Sequence, residues 1–279
     1  MDKQIICINW GTRYGARYIN NLHAMVARNI TPPFRFHCFT DVREGVHPDV
    51  VCHDLPPMPG TVPRKSRGKW QKARLWASDL GGLSGQVLFL DLDVVVTGSL
   101  DPFFTFGNPD DVVLARNMAK PLHRLGQTSI YRMPVGKLAP LQEMFAADPE
   151  GVAAEYIYEQ HFVTRNAPGG IVFWPRSWVR HFRIECIRNF PLNYVLQARK
   201  PKGARVVIFA GKVNPPDAIL GQYDDKTPHL SRRAHIARAL RSKRKLTALR
   251  SYLLPTDWVR EAWQMDDPDS TPTNGSGTD

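Results

Sequence analysis

The run Gln86-Val87-Leu88-Phe89-Leu90-Asp91-Leu92-Asp93 decides the fold of this chain of 279 residues. Its consecutive apolar residues predict a strand that is buried on both faces, as in a parallel sheet covered by helices. Asp91 ends the strand, and Asp93 lies two residues further, on the same side of an extended backbone. Because ligands of open parallel sheets bind beyond the carboxyl ends of the strands, the run predicts two carboxylates at the functional edge.

The segments on either side of this strand alternate apolar runs with amphipathic stretches, which is typical of strands joined by crossover helices. Strands are predicted at residues 5–8, 34–39, 86–90, 111–115, 129–133 and 205–209. Helices are predicted at residues 16–29, 70–80 and 137–147. The predicted fold class is therefore α/β, with a mostly parallel sheet flanked by helices.

Charge divides the chain into unequal parts. The formal net charge is +11, but nine Lys and Arg residues between positions 226 and 255, with no acid among them, leave only +2 for the remainder. We expect a main domain over residues 1–222, a basic helical C-terminal segment over 223–265 and a disordered polar tail over 266–279. Since no recognised binding motif accompanies the basic segment, nucleic acid is not an expected partner.

The sequence also favours a cytoplasmic protein without export. No apolar run approaches the roughly 20 residues that a membrane-spanning helix needs, and residues 1–4 lack the start of a secretory signal. The four cysteines, Cys7, Cys38, Cys52 and Cys186, are far apart and lack the paired spacing of a zinc site. We therefore expect buried free thiols.

Residues 231–254 are predicted to form a helix that lies on an anionic membrane surface. Ala234, Ala237 and Leu240 recur at helical spacing, four leucines follow, and eight Lys or Arg residues surround them. This combination is typical of interfacial helices, and it predicts a protein peripheral to the inner face of the membrane. The alternative is a solvated basic helix without a membrane partner.

Asp91 and Asp93 are candidate ligands for a divalent cation. Carboxylates that follow a buried apolar strand need a compensating positive charge, and their oxygens suit Mg²⁺ or Mn²⁺ bound together with substrate phosphates. The alternative is that one Asp caps the next segment while the other is solvated, because an isolated Asp-x-Asp motif has many false matches.

The surrounding sequence favours the functional interpretation. Lys72-Ala73-Arg74-Leu75 precedes Phe89-Leu90-Asp91-Leu92-Asp93-Val94, with a separation of seventeen residues between Arg74 and Asp91. This arrangement resembles the GT-A glycosyltransferases of the family-8 type, in which an Ala-Arg-Leu helix precedes a Leu-Asp-x-Asp strand. The resemblance implies a Rossmann-like GT-A catalytic domain over residues 1–222. It also implies metal-dependent transfer of a sugar from a nucleotide-sugar donor, expected to be a UDP-sugar, to a saccharide or glycolipid acceptor.

Further segments extend the resemblance to residues 5 to about 216. Residues 9–14, 40–41, 159–160 and 209–215 look like the family's segments for the uracil and ribose, the donor sugar and the diphosphate. The resemblance assigns nucleotide-sugar binding to Asn9, Thr12, Tyr14, Thr40, Asp41, Lys72, Arg74, Asp91, Leu92, Gly211 and Lys212. It assigns catalysis to Arg74, Glu159 and Gln160, and the metal, Mn²⁺ or Mg²⁺, to Asp91 and Asp93. Trp10 and Tyr14 are candidates to stack on the base, and Arg74 and Lys212 are favoured over Lys72 as cations for the diphosphate.

The sequence departs from this family at three places. Ala210 occupies or adjoins the position of a metal-binding histidine, Thr128-Ser129 replaces an Asn-centred element, and Glu159 replaces Asp. The identities of the donor sugar and the acceptor therefore do not carry over. The resemblance implies retention of anomeric configuration, with the leaving phosphate as the candidate base, and it assigns no protein nucleophile.

Two other functions fit parts of the sequence. Residues 89–95 also resemble the nucleophile strand of haloacid-dehalogenase-type phosphatases, in which Asp91 would form an aspartyl phosphate and Asp93 would act as acid and base. Asp224-Asp225 would then be a later acidic pair, but that strand ordinarily opens its domain, whereas about ninety residues precede it here. The third alternative is a non-enzymatic basic binding protein, suggested by the charge of residues 232–250.

Overall fold

The chain has an α/β fold whose elements follow the predicted alternation. The structure, a computed structural model, describes residues 2–63, 70–224 and 228–263. The strands of these residues are β1 (Lys3–Asn9), β2 (Phe34–Thr40), β3 (Val50–His53), β4 (Gln86–Leu90), β5 (Val95–Val96), β6 (Val112–Arg116), β7 (Gly126–Pro134), β8 (Ile171–Phe173), β9 (Val179–His181) and β10 (Val206–Ile208). Their α-helices are α1 (Gly15–Arg28), α2 (Asp101–Thr105), α3 (Ala139–Ala147), α4 (Pro149–Glu155), α5 (Glu159–Asn166), α6 (Pro215–Leu220), α7 (Arg232–Leu240), α8 (Lys245–Arg250) and α9 (Asp257–Trp263).

Seven strands form the main sheet, in the order β3-β2-β1-β4-β7-β6-β8. β3, β2, β1 and β4 run parallel to one another, and β6 and β8 are also parallel to each other, whereas β7 runs antiparallel to both β4 and β6. The sheet is therefore mostly parallel, as the sequence predicts. The carboxyl ends of β1 and β4 and the beginning of β7 consequently meet at one edge.

Two cores cover the two faces of the sheet, which explains the unbroken apolar runs. In β1, Ile5 and Cys7 belong to one core, and Ile6 and Ile8 belong to the other. β4 divides between the two cores in the same way. All four cysteines are free as predicted, and all but Cys52 are buried. Because both faces of the sheet are packed, its strands present polar groups chiefly at their ends, where ligands of such sheets bind.

A smaller sheet, in the order β5-β10-β9, packs in the same core as α1 and α9. β5 begins two residues after Asp93, and β10 ends two residues before Ala210. This sheet therefore brings the segment after β10 toward the end of β4. Val259 and Trp263 of α9 are also buried in this core, so the predicted C-terminal segment shares its core with residues 1–222.

The helix predicted over residues 70–80 is wrong in length and type. The structure has a 3₁₀ helix over Trp70–Trp76. Trp70, Ala73 and Trp76 are all buried, and their spacing of three matches the three residues per turn of a 3₁₀ helix. The Trp70 ring stacks on Phe145 with centroids 5.0 Å apart, so aromatic packing rather than a 3.6-residue periodicity selects this geometry.

Residues 231–254, which were predicted to be helical, form two helices rather than one continuous helix. α7 ends at Leu240 and α8 begins at Lys245. Three consecutive cations lie at positions 243–245, where the helix is interrupted. Like charges without an acidic partner destabilise a continuous helix at this point. The described residues contain no helix that is both long and apolar enough to cross a membrane. The predicted disordered tail, residues 266–279, lies outside the described residues.

Asp101, at the beginning of α2, connects three segments of the chain. Its carboxylate lies 2.6 Å from Lys3 Nζ and accepts hydrogen bonds from the Thr31 hydroxyl at 2.9 Å and the Ser99 hydroxyl at 3.0 Å. Burial alone would raise the pKa of Asp101, but the donors, led by Lys3 and Thr31, lower it to about 2. The ionised carboxylate therefore stabilises the fold.

We expect Asp101→Asn to lower the free energy of unfolding at pH 7 by about 1 to 2 kcal/mol, because the charge-assisted hydrogen bonds are weakened. The folded-state pKa lies below the unfolded value of about 3.9, so this stabilisation is present above that pH and is lost as the pH falls toward 2. Urea unfolding at pH 7 and pH 3 measures the change, with the exposed Asp110→Asn as the control. A destabilisation of equal size at both pH values would contradict the ionic origin.

Candidate active site

Asp91 and Asp93 lie in a turn at the carboxyl end of β4. The strand ends at Leu90, the backbone N–H of Asp91 donates to Ser129 O at 2.8 Å, and that of Val94 donates to Asp91 O at 3.3 Å. Both carboxyl residues line one cavity. The convergence expected from the sequence is therefore produced by a turn, not by continuation of the strand.

Lys72 is the ionic partner of Asp91. Its ammonium lies 2.7 and 2.8 Å from the two carboxylate oxygens of Asp91, donates to Thr128 O at 3.1 Å and is 4.0 Å from Glu159 Oε1. Burial by itself would lower the pKa of Lys72, but the charges of Asp91 and Glu159 outweigh it and raise this pKa. Lys72 therefore stays charged although only 7% of the residue is exposed.

Tyr14 is the hydrogen-bond partner of Asp93. Its hydroxyl donates to Asp93 Oδ2 at 3.0 Å. Burial, followed by the negative charge of Asp93, raises the pKa of Tyr14, so the hydroxyl keeps its proton. Burial and the charge of Asp91 raise the pKa of Asp93 to about 6, against the opposing effect of the Tyr14 bond. The negative charge of the two carboxylates is thus incompletely compensated by neighbouring side chains.

A cavity of about 510 Å³ opens beside these groups at the carboxyl edge of the sheet. Its lining combines cations, carboxyl groups, amides, hydroxyls and aromatic rings. It consists of Ile8, Trp10, Arg13, Tyr14, Lys72, Asp91, Leu92, Asp93, Asn117, Met118, Ala119, Gln127, Thr128, Ser129, Tyr158, Glu159, Gln160, His181, Arg183, Ala210 and Gly211. The volume lies within the range of about 300 to 1,000 Å³ that is usual for small-molecule sites.

The cavity brings together part of the site predicted from the sequence. The predicted residues that line it are Tyr14, Lys72, Asp91, Leu92, Asp93, Glu159, Gln160 and Gly211. The predicted residues outside its lining are Asn9, Thr12, Thr40, Asp41, Arg74 and Lys212.

Four of the predicted nucleoside-binding residues still lie at the same edge. Asn9 and Thr40 end β1 and β2, and Thr12 and Asp41 lie on the loops that follow. Asn9 Nδ2 donates to Thr40 Oγ1 at 3.2 Å, and the backbone N–H of Gly11 donates to Asp41 Oδ2 at 3.1 Å. These bonds hold the two loops together next to Trp10, which lines the cavity. A ligand that fills the cavity can therefore extend over both loops.

Lys72, and not Arg74, faces the carboxylates. The Arg74 guanidinium donates to Pro56 O and to Gln71 Oε1, the latter at 2.8 Å. The two cations are two residues apart on a 3₁₀ helix, which has three residues per turn, so they point in different directions. The separation between Arg74 and Asp91 in the sequence therefore does not identify the cation that contacts Asp91, which is Lys72.

Arg13, His181 and Arg183 line the cavity but were not assigned from the sequence. Burial, followed by the charge of Arg183, lowers the pKa of His181 to about 4, so the imidazole is neutral at pH 7. His181 Nδ1 is buried and has no hydrogen-bond partner in the part of the chain that is described. The three-residue strand β9, which ends at His181, is too short to give a clear periodic signal.

The two carboxylates fit a divalent cation. Their oxygens are the ligands that Mn²⁺ and Mg²⁺ accept, and the raised pKa of Asp93 shows that added positive charge would stabilise the ionised pair. Ala210 also lines the cavity but offers no side-chain ligand. The protein therefore supplies few ligands, which leaves most of the coordination shell to phosphate and water.

Comparisons with known proteins identify the fold. No protein-family model matches the chain, and no curated protein matches its sequence. The structure of the galactosyltransferase LgtC in complex with donor and acceptor sugar analogues matches with a TM-score of 0.55 and 15% identity, over 91% of this chain and 98% of that one. The bifunctional glycosyltransferase WbbM matches with a TM-score of 0.54 and 14% identity, over 77% of this chain and 46% of that one. The glycosyltransferase GlyE of Streptococcus pneumoniae TIGR4 matches with a TM-score of 0.52 and 11% identity, over 94% of this chain and 63% of that one. The predicted fold is thus confirmed as an α/β fold of the type found in GT-A glycosyltransferase structures.

Proposed function

We propose that this protein is a metal-dependent glycosyltransferase of the family-8 type that transfers a sugar from a UDP-sugar to a saccharide or glycolipid acceptor. The proposal is carried by the cavity at the end of β4, which Asp91 and Asp93 line together with three cations, Lys72, Arg13 and Arg183. A cluster of this kind suits a ligand that carries a diphosphate and a divalent cation. The glycosyltransferase neighbours share the fold and support the proposal by analogy.

The diphosphate is proposed to lie in the cavity beside the carboxylates and the cations. Asp91 and Asp93 would hold Mn²⁺ or Mg²⁺, which when bound supplies positive charge to the leaving diphosphate. Lys72 is fixed by Asp91 and Thr128 and adds a second positive charge at the same edge. Gly211 and Lys212, on the loop after β10, are proposed to contact the diphosphate from the other side. Preorganised charges of this kind stabilise the transition state without a change of conformation.

The nucleoside and the donor sugar are proposed to occupy the two ends of the cavity. Trp10 and Tyr14 lie at the β1 loop and offer aromatic rings to the base. Glu159 and Gln160 begin α5, at the predicted donor-sugar end. The Glu159 carboxylate accepts a hydrogen bond from the Thr128 hydroxyl at 2.8 Å, which fixes its orientation. The sugar is proposed to be transferred with retention of configuration, with a phosphate oxygen of the leaving group as the base.

A phosphatase with Asp91 as nucleophile is less well supported. Both carboxylate oxygens of Asp91 contact the Lys72 ammonium, and the strand before Asp91 is the fourth along the chain rather than the first. In the phosphatases that residues 89–95 resemble, the nucleophile strand ordinarily opens the domain.

A binding screen tests the proposed function. With Mn²⁺ present, the protein should bind UDP, and UDP-sugars should compete for the same site. A matched assay with p-nitrophenyl phosphate should show no turnover. If neither UDP nor GDP binds, with or without Mn²⁺, the proposed function is wrong; hydrolysis of p-nitrophenyl phosphate that requires Asp91 would favour the phosphatase.

The basic segment is proposed to place the protein on the inner face of an anionic membrane, next to a glycolipid acceptor. In α7 and α8, Ile236, Leu240 and Leu246 are exposed among basic side chains. Exposed apolar residues surrounded by Lys and Arg favour an anionic lipid surface. The break between α7 and α8 does not remove this feature, because residues 243–246 on the connection and on α8 are exposed.

We expect the triple substitution Lys243→Gln, Arg244→Gln, Lys245→Gln to weaken binding to phosphatidylglycerol-containing vesicles by about 100-fold, since each cation near an anionic surface contributes about 1 kcal/mol. Vesicle co-sedimentation at fixed salt measures this change. The matched control, Arg176→Gln with Lys200→Gln and Lys202→Gln, removes the same charge from exposed positions elsewhere. An equal loss of vesicle binding in both triple variants would show that residues 243–245 do not form a specific binding surface. Truncation after Tyr223 is unsuitable because it removes Val259 and Trp263 from the core.

A further inference from the structure

His23, His47 and Asp49 form a second cluster of potential metal ligands. One ring nitrogen of each histidine and one carboxylate oxygen of Asp49 all lie within 4.8 Å of one another. Within residues 2–63, 70–224 and 228–263, no other group of three or more His, Cys, Asp or Glu residues has ligand atoms this close together. Among the described residues, these three side chains therefore have ligand atoms close enough together to share one ion.

The backbone brings these three residues together from two separate segments. His23 lies on α1, whereas His47 and Asp49 lie on the connection between β2 and β3. Asn20, three residues before His23 on the same helix, holds this connection with two hydrogen bonds. Its Nδ2 donates to Gly45 O at 2.8 Å, and its Oδ1 accepts from the His47 backbone N–H at 2.8 Å. The ligand geometry is therefore positioned in advance by protein contacts.

His23 is the most buried member of the cluster, with 8% of the residue exposed. Its ring stacks on His47, with centroids 5.1 Å apart, and packs edge-on against Phe36. A neutral imidazole is the form that binds metal ions.

The other two residues are accessible from solvent. The side chains of His47 and Asp49 are 39% and 74% exposed, and His47 Nδ1 lies 3.9 Å from Asp49 Oδ2. The Asp49 backbone N–H donates to His47 Nδ1 at 3.2 Å, and an ion bound at Nδ1 would replace this bond. The cluster thus has one buried wall and one open side through which an ion can enter.

We propose that His23, His47 and Asp49 bind one divalent transition-metal ion of the zinc type. Two imidazole nitrogens and one carboxylate oxygen favour Zn²⁺ over Mg²⁺ or Mn²⁺, and a water molecule can complete a tetrahedral shell. His47 and Asp49 precede the amino end of β3, whereas Asp91 follows the carboxyl end of the parallel strand β4, so the two sites lie at opposite edges of the sheet. This site does not depend on the proposed glycosyltransferase function.

Zn²⁺ binding would connect the middle of α1 to the β2–β3 connection. That connection begins at Asp41, whose carboxylate accepts the Gly11 backbone bond beside the cavity, and ends at Asp49. The ion would restrain the same segment that Asn20 already holds at two points. Because it binds the folded chain through residues from two segments, Zn²⁺ should raise the melting temperature.

Calorimetric titration of Zn²⁺ into the full chain tests the proposal. The titrations are made in an Asp91→Asn, Asp93→Asn background, so that the cavity carboxylates do not contribute. We expect one Zn²⁺ per chain, and we expect His47→Gln to weaken binding at least about tenfold, since loss of outer-shell partners alone typically has an effect of that size. Asp49→Asn should weaken binding in the same direction, and Mg²⁺ should not compete.

The exposed histidine His123 provides the matched control. His123→Gln should leave Zn²⁺ affinity unchanged, and Zn²⁺ should raise the melting temperature of this variant but not that of His47→Gln. His47 is substantially exposed, so its substitution leaves the core intact. The proposal is overturned if no saturable Zn²⁺ binding occurs, or if His47→Gln and Asp49→Asn bind Zn²⁺ as tightly as His123→Gln.

Discussion

Asp93→Asn is expected to remove most sugar transfer and to uncouple metal binding from nucleotide binding. Two carboxylates leave most of an octahedral shell to water and phosphate, so the protein alone should hold Mn²⁺ weakly, and tight binding should need UDP. By thermodynamic linkage, Mn²⁺ should tighten UDP binding by the same factor by which UDP tightens Mn²⁺ binding. Loss of a group that stabilises the developing charge should slow transfer by about 100- to 1,000-fold.

Calorimetry of Mn²⁺ into the protein, with and without UDP, measures this coupling without knowledge of the acceptor. The exposed Asp110→Asn is the control, because it removes one carboxylate of the same type outside the cavity. Ala210→His adds an imidazole to the cavity lining and should strengthen Mn²⁺ binding in the absence of UDP. If UDP does not change the Mn²⁺ affinity, or if Asp93→Asn leaves the coupling intact, these carboxylates do not hold the metal.

Lys72→Met is expected to destabilise the folded protein by about 3 kcal/mol, because it leaves the Asp91 carboxylate in a partly buried site without its cation. This value lies at the low end of the range for broken buried ion pairs, since the Asp91 side chain is 21% exposed. Methionine has a similar length, so lost packing contributes little. The same substitution should also weaken UDP binding, because it removes a positive charge from the cavity.

A double-mutant cycle separates the ion pair from other effects of Lys72. Urea unfolding of Lys72→Met, Asp91→Asn and the double variant should show that the double variant is more stable than Lys72→Met alone, because no unpaired charge remains. The exposed Lys200→Met should change the free energy of unfolding by less than about 0.5 kcal/mol. Strict additivity of the two single substitutions would show that the contact between Lys72 and Asp91 carries no coupling energy.

The strand pattern allowed most of the fold to be predicted, since buried parallel strands have unbroken apolar runs. Residues 86–90 were predicted to form the strand that the structure shows as β4, and the carboxylates after it line the cavity. The local sequence pattern does not predict the geometry of an element whose conformation depends on packing against distant segments. The 3₁₀ helix that carries Lys72 is selected by contacts with Phe145 and Phe162, which lie far along the chain. A sequence motif alone could not show that Lys72 faces Asp91 and Arg74 turns away.

The cavity wall formed by His181 and Arg183 had no recognisable pattern in the sequence. β9 has three residues and is positioned by its pairing with β10, which follows it by more than twenty residues. Periodicity cannot identify so short a strand. The proposed Zn²⁺ site has no signal in the sequence for a related reason, because His23 and His47 lie on different elements and their spacing matches no ligand motif.

The position of α9 has a consequence for the order in which the protein folds during synthesis. Trp263 packs edge-on against Tyr18 of α1, with ring centroids 5.1 Å apart, and the Arg28 guanidinium donates to Ala262 O across 234 positions of sequence. A nascent chain that lacks residues 257–263 therefore exposes one side of α1 to solvent or to chaperones. Such long-range contacts form late and slow the folding reaction. The side of α1 that contacts α9 is therefore covered only after the ribosome has released residues 257–263.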